Sequence, residues 1–171
     1  MMMTTALMAM VGSLAAALTP APAWQPDYPT ACAQSSNAHK PLAVFIGHGS
    51  SGASSVVAKG LTADENKTLA DKFVVLYVDA ESTAGKTLAA SFQISEGLVI
   101  SDATGGLQAL KHGGSLTQEE LTGYLVKYSD PTRPVTTTDA GGTFHPAPVS
   151  VDPIGRYMTF GGKSSCPNCR N

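Results

Sequence analysis

The chain has 171 residues, with 11 Lys and Arg against 13 Asp and Glu and a net charge of −2. Such a length suits one well-buried domain. The near-neutral balance argues against the basic surface that nucleic acid or an anionic membrane face requires.

In chain order, Ala6-Leu-Met-Ala-Met-Val-Gly-Ser-Leu-Ala-Ala-Ala-Leu18 is an uncharged apolar run. It has the length of a signal-peptide core and falls short of the ~20 apolar residues that span a bilayer. Thr19-Pro20 breaks it, and Ala21-Pro-Ala23 offers the small-x-small pattern of a signal peptidase site, although Met1 to Thr5 carry no Lys or Arg. The expectation is export to the periplasm or the medium, cleavage after Ala23, a folded region over 24–130 and a tail over 131–171.

A lead-in helix is predicted from Trp24 to Asn37, with Asp27 as its cap, Pro29 in its first turn and Cys32 as a small core residue. Leu42-Ala-Val-Phe-Ile46 reads as a buried strand. A Gly/Ser-rich turn, Gly47 to Ser54, follows, then a short helical stretch from about Ser54 to Lys59. Thr62-Ala-Asp-Glu65 has the residues of a capping box and opens a helix to Lys72. Phe73-Val-Val-Leu-Tyr-Val78 has no polar face, so it must be a central strand with helices over both sides.

Glu81 to Phe92 is helical by spacing, Gly97-Leu-Val-Ile-Ser101 is a third strand, and Leu107 to Lys111 returns as an antiparallel hairpin. Thr117 and Glu120 box the last helix, with Leu116 and Leu121 stapling its start and Leu121, Tyr124, Leu125 and Tyr128 as its buried stripe. From Asp130 the prolines and glycines predict an irregular tail without a continuous strand, Val149 to Val151 and Tyr157 to Phe160 making at most short strand-like contacts.

Several of these segments resemble the thioredoxin-like family. Trp24-x-x-Asp27-Tyr28 followed by Lys40-Pro41 is similar to the opening of exported members. Thr62-Ala-Asp-Glu-Asn-Lys-Thr-Leu-Ala-Asp-Lys-Phe-Val-Val-Leu-Tyr-Val-Asp79 resembles their helix running into a strand that ends in aspartate. Phe92-Gln-Ile, Leu98-Val-Ile-Ser-Asp102 and Gly105 resemble the third strand and its turn. The resemblance implies an α/β fold, a thioredoxin-like three-layer α/β/α sandwich with a mixed central sheet, plus an irregular C-terminal tail.

The family's Cys-x-x-Cys then falls on Ser51-Gly52-Ala53-Ser54. Thiol exchange needs a thiolate, and a serine hydroxyl neither ionises at neutral pH nor forms a disulfide. The proline that the family places before its third strand is also missing from Ser95-Glu96-Gly97. Ser51 and Ser54 thus mark a degenerate site, and the expected role is a binding or scaffold module for a protein or peptide partner.

Three readings of Cys166-Pro-Asn-Cys169 stand beside that one: a local disulfide, an exchange-active pair, or half of a zinc or other soft-metal site completed by ligands such as His145. No other cofactor is expected. Gly47-His-Gly-Ser-Ser-Gly52 also fits a dinucleotide fingerprint with Asp79 on the next strand, against which stands the expected lack of a full crossover. Gly49-Ser-Ser51-Gly-Ala53 is a near miss to a nucleophile elbow beside His48. His39 and His112 are placed at element ends, exposed to solvent.

Overall fold

A computed structural model describes residues 21–142. In chain order the elements are β1 (Trp24–Gln25), α1 (Tyr28–Ala38), β2 (Leu42–Gly47), a 3-10 segment (Gly49–Ser55), α2 (Ala63–Lys72), β3 (Val74–Asp79), α3 (Thr83–Phe92), β4 (Gly97–Ser101), β5 (Gln108–Gly113), α4 (Gln118–Tyr128) and β6 (Asp139–Gly142). The strands form one mixed sheet in the order β1-β3-β2-β4-β5-β6. β1, β2 and β3 run parallel, β4 is antiparallel to β2, β5 is antiparallel to β4, and β6 is parallel to β5.

β2 and β4 are buried along their whole length. Alternating side chains divide between two cores. Ala43 and Phe45 of β2 join Leu98 and Ile100 of β4 on the face covered by Leu69 of α2 and by Leu121, Leu125 and Tyr128 of α4. Leu42, Val44 and Ile46 face the other way, under Tyr28, Ala31 and Cys32 of α1 and Ala89 and Phe92 of α3. Helices therefore cover both faces, as the wholly apolar strands require.

The caps form where the sequence places them. Asp27 accepts the Thr30 N–H at 2.8 Å, with Pro29 in the first turn of α1. Thr62 with Glu65 and Thr117 with Glu120 close complete capping boxes at α2 and α4.

Four expectations are corrected. Trp24 and Gln25 are a strand rather than the start of the first helix, in register with Val75 and Leu76. Gln25 precedes Pro26, which disfavours helical backbone, and the Trp24 ring meets Phe45 edge-on at 5.7 Å. The helical stretch after β2 lies at Gly49–Ser55 and is 3-10, while Val57 bridges to Leu116. A parallel crossover from β2 through α2 to β3 is present.

The fourth correction is β6, a strand within the segment predicted to be irregular. Its composition, Asp-Ala-Gly-Gly, carries no strand signal, because non-local anchoring selects it. Lys127 Nζ lies 2.6 Å from Asp139 Oδ2, and the Tyr128 hydroxyl donates to the same oxygen. A Cβ on Gly141 would stand 2.4 Å from the Tyr124 hydroxyl oxygen, so a larger residue would push the strand off α4. Val149 to Val151 and Tyr157 to Phe160 lie outside the described residues.

Glu65 ties the two helices of one face together. It is 3% exposed. Its carboxylate accepts from the Thr62 N–H at 2.8 Å, from the Thr62 and Thr122 hydroxyls at 2.9 and 3.0 Å, and from the Gln118 amide. Burial works to raise its pKa, but the Thr62 N–H and the Gln118, Thr62 and Thr122 side chains together hold it below the usual carboxylate range. A carboxyl lowered on folding adds stability that is present above its unfolded pKa and is lost as pH falls through its folded one. Glu65→Ala is expected to cost about 2–3 kcal/mol near neutral pH, the scale of charge-assisted hydrogen bonds left unmade. In urea titrations from about pH 7 to 3, Glu65→Gln should lose less stability than the parent below about pH 4.5. Parallel curves for parent and variant would contradict this account.

Candidate functional site

The turn that follows β2 carries Ser51 and Ser54, and its shape is set by the ends of β2 and β3. At Gly47 a Cβ would stand 2.2 Å from Ser55 Oγ and 2.9 Å from the Val56 side chain, so glycine lets the chain fold back over its own strand. Gly49 and Gly52 have φ of +72° and +63°, backbone that other residues rarely adopt. The Tyr77 hydroxyl donates to the Gly49 carbonyl at 2.7 Å. Asp79 Oδ1 accepts the Gly49 N–H at 3.0 Å and the Glu81 N–H at 2.9 Å. Two β3 side chains thus hold the turn that β2 delivers.

The Ser54 hydroxyl donates to the Ser51 carbonyl, the Ser55 hydroxyl donates to the Gly52 carbonyl at 2.8 Å, and the Ser51 side chain is exposed. His48 is exposed and makes no side-chain cap to the turn. Among the described residues no hydrogen bond joins a serine hydroxyl to an imidazole, which is the first requirement of an activated serine. The carboxylate nearest the turn, Asp79, is engaged with backbone N–H groups.

The dinucleotide pattern fares little better, although its crossover is present. A pyrophosphate would need free N–H groups at a helix start. The Gly49 N–H is held by Asp79, and the start of α2 is closed by Thr62 and Glu65.

Cys32 does not join the serines. It is buried on α1, and its carbonyl lies 3.6 Å from a Cβ built on Gly105, in the turn between β4 and β5. That turn stands at the end of the sheet where β2 begins, opposite the Ser51–Ser54 turn. The loop before β4 carries Glu96, whose side chain accepts from the Ser115 hydroxyl at 3.0 Å, and Gly97, where a Cβ would stand 2.0 Å from the His112 carbonyl oxygen. His145, Cys166 and Cys169 lie outside the described residues. Among those described, no three His, Cys, Asp or Glu residues gather as a metal cluster.

His112 departs from expectation. It is 1% exposed within β5, its Nδ1 lies 3.1 Å from the Tyr124 hydroxyl, and its Nε2 has no hydrogen-bond partner among the described residues. Its period-two spacing from the buried Leu110 was the available signal. His39 is exposed, as expected, at the left-handed end of α1.

A groove went unanticipated. A cavity of about 680 Å³ lies between the first turn of α1 and α3, over the second half of β3. Leu76 and Val78 form its floor, Pro26 and Tyr28 one wall and Leu88 the other, with Asp27 at the rim. α3 sits closely on the strand end here, since a Cβ on Gly85 would stand 1.9 Å from the Asp79 carbonyl oxygen. A glycine inside a helical pattern was the only sequence hint of that close approach.

Comparison with protein-family models, with curated proteins and with solved structures finds no match to this chain. Tyr77→Phe removes the hydroxyl that donates to Gly49 and lies 3.4 Å from Ser55 Oγ, and should cost about 1 kcal/mol. Amide exchange of Gly49 to Ser55 should quicken while α2 and α4 keep their protection. Uniform quickening across the chain would show instead that Tyr77 acts on global stability.

Proposed function

We propose that this chain is an exported, thioredoxin-like module that holds a protein or peptide partner and does not exchange disulfides. The reading is carried by one observation: the turn leaving β2 presents serine hydroxyls at 51 and 54, and one of them is committed to a backbone carbonyl. The central strand order β1-β3-β2-β4-β5, with β4 reversed against β2 and helices on both faces, supports the thioredoxin-like frame to which that turn is compared.

Exchange would require a thiolate attacking a disulfide sulfur and a second thiol resolving the mixed disulfide. Neither hydroxyl can take those roles. Cys32, the thiol within the described region, is buried toward the opposite end of the sheet. What is left of a thioredoxin-type surface is its shape: the exposed turn beside the ends of parallel strands, where open α/β sheets commonly bind their ligands.

The second reading assigns exchange or soft-metal binding to Cys166 and Cys169, and rests on their Cys-x-x-Cys spacing. Insulin reduction driven by dithiothreitol separates the two. The chain lacking residues 1–23 is expected to match its Cys166→Ser and Cys169→Ser variants, with no turnover above the uncatalysed rate. Turnover that both substitutions abolish would falsify the binding-module reading.

Export is proposed on the apolar run from Ala6 to Leu18 and the Ala21-Pro-Ala23 pattern. Cleavage after Ala23 would leave β1 whole, since that strand starts at Trp24. Intact-mass measurement of the exported product from a bacterial host should give a chain starting at Trp24. A product that keeps residues 1–23 and remains inside the cell would refute export.

A further inference from the structure

We propose that the groove between the first turn of α1 and α3 receives an extended peptide of the partner, placing an apolar side chain on Leu76, Val78 and Leu88 and a lysine or arginine side chain at the carboxylate of Asp27. The proposal rests on the reading of the chain as a partner-holding module and names where and what it holds.

Size and shape come first. About 680 Å³ lies within the range of roughly 300–1,000 Å³ typical of pockets that bury most of a bound group. Its floor is the edge of β3. On that edge β1 pairs only with Val75 and Leu76, because the chain turns away at Pro26 into α1. Tyr77 and Val78 have no strand partner on that side among the described residues, while the Asp79 carbonyl accepts from the Ser82 N–H and hydroxyl. An extended peptide can continue β1's alignment there, main chain against strand edge and alternate side chains into the groove.

Charge selects the peptide. Asp27 and Asp79 both line the groove, and no lysine or arginine does. Each carboxylate uses Oδ1 to hold backbone, Thr30 in one case and Gly49 and Glu81 in the other. The hydrogen bonds from the Thr30 backbone and side chain keep the Asp27 carboxyl below its ordinary range, so it is ionised at neutral pH. An apolar floor beside the ionised Asp27, with no lysine or arginine in the lining, favours an occupant with both an apolar and a cationic side chain, and the open edge at Tyr77 favours a peptide over a free amine.

The test uses the chain without residues 1–23 and two blocked hexapeptides, Thr-Val-Leu-Lys-Val-Thr and the same sequence with glutamate for lysine. Calorimetry gives affinities, and nitrogen-15 amide shifts locate binding. The lysine peptide is expected to shift Asp27, Tyr28, Ser82 and Leu88 and to bind at least about fivefold tighter than the glutamate peptide, since the Asp27 carboxylate attracts one side chain and repels the other. Asp27→Asn keeps a capping side chain and should weaken the lysine peptide severalfold. Ala84→Arg, at an exposed position lining the groove, should abolish binding while both variants keep the parent's urea midpoint.

Equal affinity for the two peptides, or indifference to Ala84→Arg, overturns the proposal. So does binding of neither peptide. Shifts confined to Gly49–Ser55 overturn the groove while leaving the binding-module reading in place. Octylamine binding as tightly as the lysine peptide would make a small amine the occupant, and groove shifts that grow with protein concentration alone would make it a second copy of the chain.

Discussion

β2 has no face to offer water. All six of its residues are buried, and side chains from both of its faces enter cores. A strand of that kind needs a hydrogen-bonded neighbour on each edge and a helix layer over each face, since any missing cover would expose apolar surface at about 25 cal/mol per Å². β3 and β4 supply the edges, α2 with α4 one layer and α1 with α3 the other. The polar turn Gly47–Ser55 emerges at the end of this strand, so its place is fixed by the most constrained element in the molecule. Tyr77 and Asp79, from the neighbouring strand, then define its shape.

Elements set by local chemistry were legible. Thr62 and Glu65 announced α2 and Thr117 and Glu120 announced α4, because a capping box acts within four residues. The strands at Leu42, Phe73 and Gly97 announced themselves by apolar runs. What escaped was set by distant partners. Trp24 and Gln25 become a strand through Val75 and Leu76, fifty residues onward in the chain. Asp139 to Gly142 becomes one through Lys127, Tyr128 and the exposed edge of β5. His112 sits at a strand's end by sequence and inside the protein in space, since β6 and Tyr124 close over it. Of the candidate site, the turn and its serines were readable from the strand before them. The groove was not, because three separate elements build it.

The polar groups inside the fold show how one sheet face is fastened. Glu65 gathers donors from its own cap and from α4, which makes a charged residue with 3% exposure a tie between helices. Asp139 does the same at the rim, where Lys127 and Tyr128 draw its pKa down and where burial and the Asp139 carboxylate push the Tyr128 phenol up. Both clusters bond within the described fold. Their hydrogen bonds close on the fold itself, so they belong to stability and leave the functional question to the opposite face and to the strand ends.

The two sheet edges finish differently, and that difference bears on function. At the β5 edge, β6 extends over four residues and is anchored through Asp139. At the β3 edge, β1 contributes two residues before Pro26 and Asp27 divert the chain into α1. An uncovered strand edge invites pairing with another chain, and proteins usually blunt it with charge, a short strand or a covering helix. Here α3 seats on the Asp79 carbonyl, while α1 and α3 leave a groove over Leu76 and Val78 with Asp27 at its rim. A carboxylate there repels an acidic strand and attracts a basic one. On the proposed reading the arrangement guards the edge against acidic strands and, by the same electrostatics, would admit a basic peptide.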